Sequence, residues 1–217
     1  MESKELTEMP RKQMLARIGM AKFPQELTPA ERNLLAEVAI SYGFDPLMGE
    51  VIIYQGQPYV SIDGRRRKAQ ETGDLDGTQT RPATYEEKEA AMVPAEDYYW
   101  HADIRRRGCA YPFEGWGRVS RSEIDRAIAN ARKHNKDPFF LPVVKDPGGI
   151  AEKRAEAKGL RKGFHIPLPS LEDIGGDAPD EFKVTAIVEE PPSKPLEAAP
   201  GPTATSESTD PNPPETT

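Results

Sequence analysis

Proline and acidic charge are spread so unevenly along this chain that only its first 170 or so residues can form a packed core. Beyond residue 188 the composition is Pro, Glu, Ser, Thr and Ala, with almost no large apolar side chains. Such a segment buries too little surface to offset the entropy of ordering it, so disorder is expected there. The acid sits in the same region. Residues 170–217 hold two basic and 11 acidic side chains, a net of −9, against 27 basic and 25 acidic in the remainder, a net of +2. The formal net charge of −7 therefore does not exclude an anionic partner, because local charge decides what a groove attracts. Residues 101–136 carry nine Lys/Arg against four Asp/Glu. Three segments are expected: a loosely packed lead-in at 1–27 with a short helix near 11–20 and a candidate oligomer contact, a core domain at 28–169, and an acidic tail at 170–217.

No apolar run is long enough to cross a bilayer and no signal-peptide core is present, so a soluble protein that stays in the cytoplasm is expected. Cys109 is the only cysteine, which rules out an intrachain disulfide. His101, His134 and His165 are far apart and lack cysteine partners, so no zinc-ligand spacing is seen.

Local signals divide the core. Thr28-Pro29-Ala30-Glu31 is a capping box with proline at the first helical position. The helix it opens puts Leu34, Leu35, Val38 and Ala39 on one face and ends at Gly43, before Pro46. Strand-like runs at 50–54 and 58–62 flank a Gln55-Gly56-Gln57 turn. Asp63 is expected to cap a short helix at 64–72, and 74–82 reads as turn-rich. Thr84 with Glu87 marks another capping box, opening a helix at 85–92. A second strand pair, 98–107 and 109–119, joins near Gly108. Ser120 with Glu123 reads as a third box, before a helix carrying Ile124, Ala127, Ile128 and Ala131 on one face. A proline-bounded loop at 137–147 precedes a strong helix at 148–164. A last strand is expected at 181–188. The fold class expected is α+β: a small, mostly antiparallel sheet packed with helices, bearing a basic groove.

Three basic constellations stand out. In the last helix Ile150, Ala157, Leu160 and Phe164 share a stripe, while Arg154, Lys158 and Arg161 line the neighbouring face, flanked by Lys153 and Lys162. Arg65-Arg66-Arg67-Lys68 opens a helix, where the dipole disfavours cations, so these charges need a partner. Phosphate is one candidate; a solvated run, or pairing with Asp74 and Asp76, is the other. Alternation sends Arg105 and Arg107 to one strand face and Arg106 to the other, with Arg118 and Arg121 able to join across the hairpin. Tyr111, Phe113 and Trp116 interleave with these cations, a pattern suited to base stacking and equally to a core. Phe113 is expected in the core; Trp116 stays open.

No Walker loop, G-x-S-x-G, Cys–His pair or His cluster is found, so no catalytic and no metal-binding residue is expected. Asp63, Asp74 and Asp76 are the only tempting carboxylates. They keep a metal-dependent nuclease open as an alternative; a non-catalytic adaptor of a replication complex is a separate one.

The stretch Tyr42-Gly43-Phe44-Asp45-Pro46, Glu50-Val51-Ile52, a Gly-containing turn and Ser61-Ile62-Asp63-Gly64 to Lys68-Ala69 resembles the RecT/Bet single-strand annealing proteins of phages. Asp146-Pro147, Ile150 to Ala155, Leu160-Arg161-Lys162 and Leu168-Pro169 resemble that family's basic helix and its exit. The resemblance spans 27–169. It implies an ATP-independent recombinase that binds single-stranded DNA and the annealed duplex, and forms homo-oligomeric rings or helical filaments. It implies no required cofactor, with Mg2+ modulating DNA binding. A phage exonuclease and the host single-strand-binding protein are the implied partners in a bacterial cytoplasm. Carried over by position, Lys153, Arg154, Lys158, Arg161 and Lys162 line the DNA groove, with Arg65 to Lys68 beside it. Two departures stand out: Arg65 occupies the place of the family's Trp after Asp-Gly, and the C-terminal helical domain that some members use for partners is not recognisable.

Overall fold

The computed structural model describes residues 3–23, 26–174 and 185–186. In order these form α1 (Ser3–Thr7), α2 (Arg11–Gly19), β1 (Ala21–Lys22), α3 (Pro29–Tyr42), β2 (Val51–Tyr54), β3 (Gln57–Val60) and α4 (Ile62–Glu71). Then follow β4 (Leu75–Pro82), α5 (Tyr85–Ala90), β5 (Tyr98–Arg106), β6 (Phe113–Val119) and α6 (Arg121–Lys133). A 3-10 turn (Pro138–Phe140), α7 (Pro142–Lys145), α8 (Pro147–Phe164), a second 3-10 turn (Leu171–Asp173) and β7 (Thr185–Ala186) complete the described chain. The fold is α+β. Its strands pair antiparallel as a β4-β5-β6 sheet, a β2-β3 hairpin and a β1-β7 pair. The acidic tail and most of the strand expected at 181–188 lie outside the described residues; of that strand, Thr185–Ala186 is seen, paired with Ala21–Lys22.

Several of the local signals hold. Thr28 accepts the Glu31 amide and Glu31 returns to the Thr28 amide, so the capping box closes, and Gly43 ends α3 in the left-handed region at φ 62°. Leu35, Val38 and Ala39 are buried as expected, whereas Leu34 is exposed. Gln55 and Gly56 both take positive φ, the geometry of a two-residue hairpin turn. Thr84 and Glu87 also close a capping box.

Four local expectations need correction. The described residues before 28 are not loosely packed: Leu6, Met14, Ile18 and Leu27 are buried in one cluster with Leu35, Phe44, Val51 and Val60. The 74–82 stretch is a strand, not turns. It is the edge of the β4-β5-β6 sheet, with a register shift between Leu75 and Gly77, and an edge position tolerates its Gly, Thr, Gln and Pro. Asp63 does not cap α4, because Ser61 starts the helix two residues earlier and accepts the Gly64 amide. Ser120 caps α6, but the Glu123 side chain leaves the cap for Arg154, so that box is half-formed.

The β4-β5-β6 sheet is anchored by how closely α8 approaches it. Ala151, Ala155, Gly159 and Gly163 recur every four residues and form a stripe of small side chains. On β6, Gly115 and Gly117 face that stripe. A Cβ at Gly117 would lie 1.9 Å from the Ala151 carbonyl oxygen, and one at Gly115 would lie 1.9 Å from that of Ala155. A Cβ at Gly159 would sit 2.5 Å from Ile104. Only glycine permits this backbone-on-backbone contact. Helix α8 then links two apolar clusters: Val119, Ile124, Ala127, Leu141 and Val143 gather around Ala151, and Ile62, Ala69 and Ile104 around Ala157 and Leu160. The expected apolar stripe thus touches the core, but α8 is buried on more sides than one stripe would provide.

Candidate nucleic-acid interface

Six of the twelve cations expected to meet DNA turn inward or pair within the protein. Arg65 is fully buried and is the largest such side chain; it donates to the carbonyls of Ile166 and Leu168, the latter at 2.7 Å. Its guanidinium thus pins the segment leaving α8 onto α4. Arg66 forms a fork on Glu156 at 2.8 and 2.6 Å. Arg67 bridges Glu50, Glu71 and the Gly43 carbonyl. Lys68 lies half-buried over the Phe44 ring, and burial holds its ammonium below the usual lysine range. The charges crowded at this helix start do have partners, but these are carboxylates and carbonyls rather than Asp74 and Asp76. Those two aspartates sit beside Arg106 and Arg107 instead.

Arg154 is the second correction. It is 7% exposed, forks onto Glu123 at 3.0 and 2.7 Å, and donates to the carbonyls of Arg118 and Glu172. It joins α8, α6, β6 and the segment after α8, and offers nothing to a ligand. Arg118 is diverted too. It pairs with the buried Asp97, which also accepts the Arg121 amide, and it stands opposite Tyr99 at the far end of the hairpin from Arg105. Six residues of strand separate the two positions, about 20 Å.

The other six, Arg105, Arg107, Lys153, Lys158, Arg161 and Lys162, are exposed. At 100° per residue, Lys158, Arg161 and Lys162 fall within an arc of about 100° on the outer C-terminal half of α8, while Lys153 lies about 140° from Lys158. The C-terminal half of α8 sits against the closed end of the β5-β6 hairpin. Arg106 donates to the Gly163 carbonyl at 2.9 Å, and Lys162 donates to the Glu114 carbonyl at 2.7 Å. Arg105 and Arg107 therefore stand at the same end of the sheet as Lys158, Arg161 and Lys162, with Arg105 on the face turned away from α8. Among the described residues Arg105, Lys158 and Arg161 make no ion pair or side-chain hydrogen bond, and Arg107 reaches Asp76 only at 3.8 Å. Cations also suit the C-terminal end of a helix, so the placement does not strain α8. Tyr111, 84% exposed, projects from the hairpin loop between Arg107 and Phe113. Phe113 packs on Gly163 in the core as expected.

Trp116 falls on the sheet face turned away from α8. Strand register groups Gln79 and Arg81 of β4, Tyr99, His101, Asp103 and Arg105 of β5, and Glu114, Trp116 and Arg118 of β6 on that face. Tyr99 stacks on Trp116 with ring centroids 5.1 Å apart, and the His101 ring lies 4.2 Å from Trp116. Arg81 grips Glu87 at 2.7 and 2.6 Å. That fork and the Thr84 amide push the Glu87 carboxyl down to about 2. Because the folded value is depressed, the stabilisation is complete above the ordinary glutamate range and is lost as pH falls through about 2. Carboxyl-carbon NMR should show Glu87 titrating near pH 2, and Arg81→Ala should move it back toward 4.

No family model matches this chain, and no curated protein matches it. Among the described residues no helix is long and apolar enough to cross a membrane.

Proposed function

We propose that this protein binds single-stranded DNA and anneals complementary strands without ATP or a required cofactor, as its resemblance to the RecT/Bet proteins implies. The observation that carries this reading is the group of exposed cations at one end of the sheet: Arg105, Arg107, Lys158, Arg161 and Lys162, with Tyr111 projecting beside them. Exposed cations neutralise phosphate and release counterions, and an exposed aromatic ring accepts a base of any sequence. Neutralising one strand's backbone while leaving its bases free is what annealing requires. Self-association on DNA as a ring or filament, Mg2+ modulation, and docking of an exonuclease or host single-strand-binding protein belong to the same reading. So does work in a bacterial cytoplasm.

Binding of a labelled oligonucleotide should weaken steeply with salt, and complementary strands should anneal in EDTA without nucleotide. The triple variant Lys158→Ala/Arg161→Ala/Lys162→Ala should lose at least tenfold in affinity and flatten the salt dependence by about two units of log–log slope. Annealing equal to the parent's would overturn the interface, and Mg2+-dependent loss of the oligonucleotide would favour the nuclease instead.

A further inference from the structure

We propose that the sheet face turned away from α8 carries a site for one divalent transition-metal ion, of the Zn2+ or Mn2+ class, held by His101 Nε2, Asp103 and Glu114. The His101 side chain is 7% exposed, and its Nε2 is buried with no hydrogen-bond partner. An unsatisfied buried nitrogen is costly, and it calls for a ligand that the protein itself does not supply. Two carboxylates flank it. Asp103 Oδ1 lies 3.7 Å and Glu114 Oε2 4.0 Å from Nε2, beyond hydrogen-bond reach, and the donor atoms all fall within 4.8 Å of one another. This is the only such cluster of His, Cys, Asp and Glu among the described residues.

Strand register sharpens the case. Asp103 and Glu114 stand directly opposite each other across β5 and β6, and like charges in that position repel. Arg81, opposite His101 on β4, is near enough to feel both carboxylates, but its fork is taken by Glu87. The two ligating carboxylates carry two formal negative charges, matching a divalent cation. Metal bonds of 2.0–2.2 Å in a tetrahedron separate donors by about 3.4 Å. The observed spacings need only modest closure, which the exposed Glu114 side chain can make. An imidazole beside carboxylates favours Zn2+ or Mn2+ over Mg2+ or Ca2+, and three protein ligands leave a coordination position open to solvent.

The full-length chain, stripped with EDTA and carrying Trp100→Phe so that Trp116 is its only tryptophan, supplies a local reporter. Co2+, a paramagnetic stand-in for Zn2+, should quench Trp116 saturably at one ion per chain, because the indole touches the ligating imidazole. Zn2+ should compete, and Mg2+ should need at least a tenfold higher concentration. Glu114→Gln and Asp103→Asn, with circular dichroism matching the parent, should each weaken the quench at least tenfold. Diffuse binding to other carboxylates would ignore both substitutions. No saturable quench, or a quench in both variants equal to the parent's, overturns the site. The titration uses metal alone, so its outcome is separate from that of the DNA-binding reading.

Discussion

Gly117→Ala is expected to destabilise the protein by about 3 kcal/mol, the upper end of the overpacking range. Its new methyl group would lie 1.9 Å from the Ala151 carbonyl oxygen and 2.4 Å from the Ala155 nitrogen. Both are backbone atoms inside α8, so no side-chain rotation relieves the clash, and helix and sheet must separate. Separation would open the clusters around Ala151 and Leu160 that join on α8. For a chain of this size the loss corresponds to a melting-temperature drop of about 6–12 °C. Gly115→Ala should behave alike, being equally close to the Ala155 carbonyl. Gly19→Ala is the control: apart from its chain neighbours and its own helix backbone, nothing lies within 4 Å of its Cβ position, so stability should hold or rise by up to about 1 kcal/mol. Thermal unfolding of the three variants by circular dichroism decides the matter; an unchanged Gly117→Ala would mean that α8 does not press on β6 as described.

Arg154→Ala should cost about 3–5 kcal/mol, because it leaves Glu123 as a part-buried carboxylate without its partner and removes donors from two carbonyls. Arg154→Lys should recover little, since one ammonium cannot reproduce a fork reaching three acceptor groups. Arg161→Ala, on the same helix and exposed, should stay within about 0.5 kcal/mol of the parent. The two arginines should therefore exchange roles between assays. Urea denaturation separates Arg154→Ala from the parent, whereas oligonucleotide affinity separates Arg161→Ala at unchanged stability. Equal unfolding midpoints for Arg154→Ala and the parent would contradict the buried ion pair.

Both results bear on a helix whose sequence reads as one basic face. Arg154, Lys158 and Arg161 share that face by spacing alone, yet Arg154 is enclosed by Glu123, 31 residues earlier, and by the segment after α8. Nothing in the spacing separates the buried member of the stripe from the exposed ones. The repeat of small residues at Ala151, Ala155, Gly159 and Gly163, with Gly115 and Gly117 two apart on a strand, did hold a readable signal of close packing. The basic residues beside it draw the eye first. His101, too, is invisible to a search for histidine and cysteine clusters, because its companions are carboxylates brought in by strand register.

By itself the sequence determined the helix starts at Thr28 and Thr84, the αL end at Gly43, a turn at Gln55-Gly56 and the α+β class. Each depends on residues a few positions apart, whose backbone geometry is set by their own side chains. The hairpin register was instead set by the fold, which takes Gln57 out of the expected turn and pairs it with Tyr54. Only the tertiary structure decided which cations remain free. Arg65 is sealed by carbonyls just over 100 residues away, and Arg66 is taken by Glu156, 90 residues away, while Arg161 is left in solvent. A charge's availability depends on what the fold brings against it, and that partner is set by packing, not by neighbours in the chain.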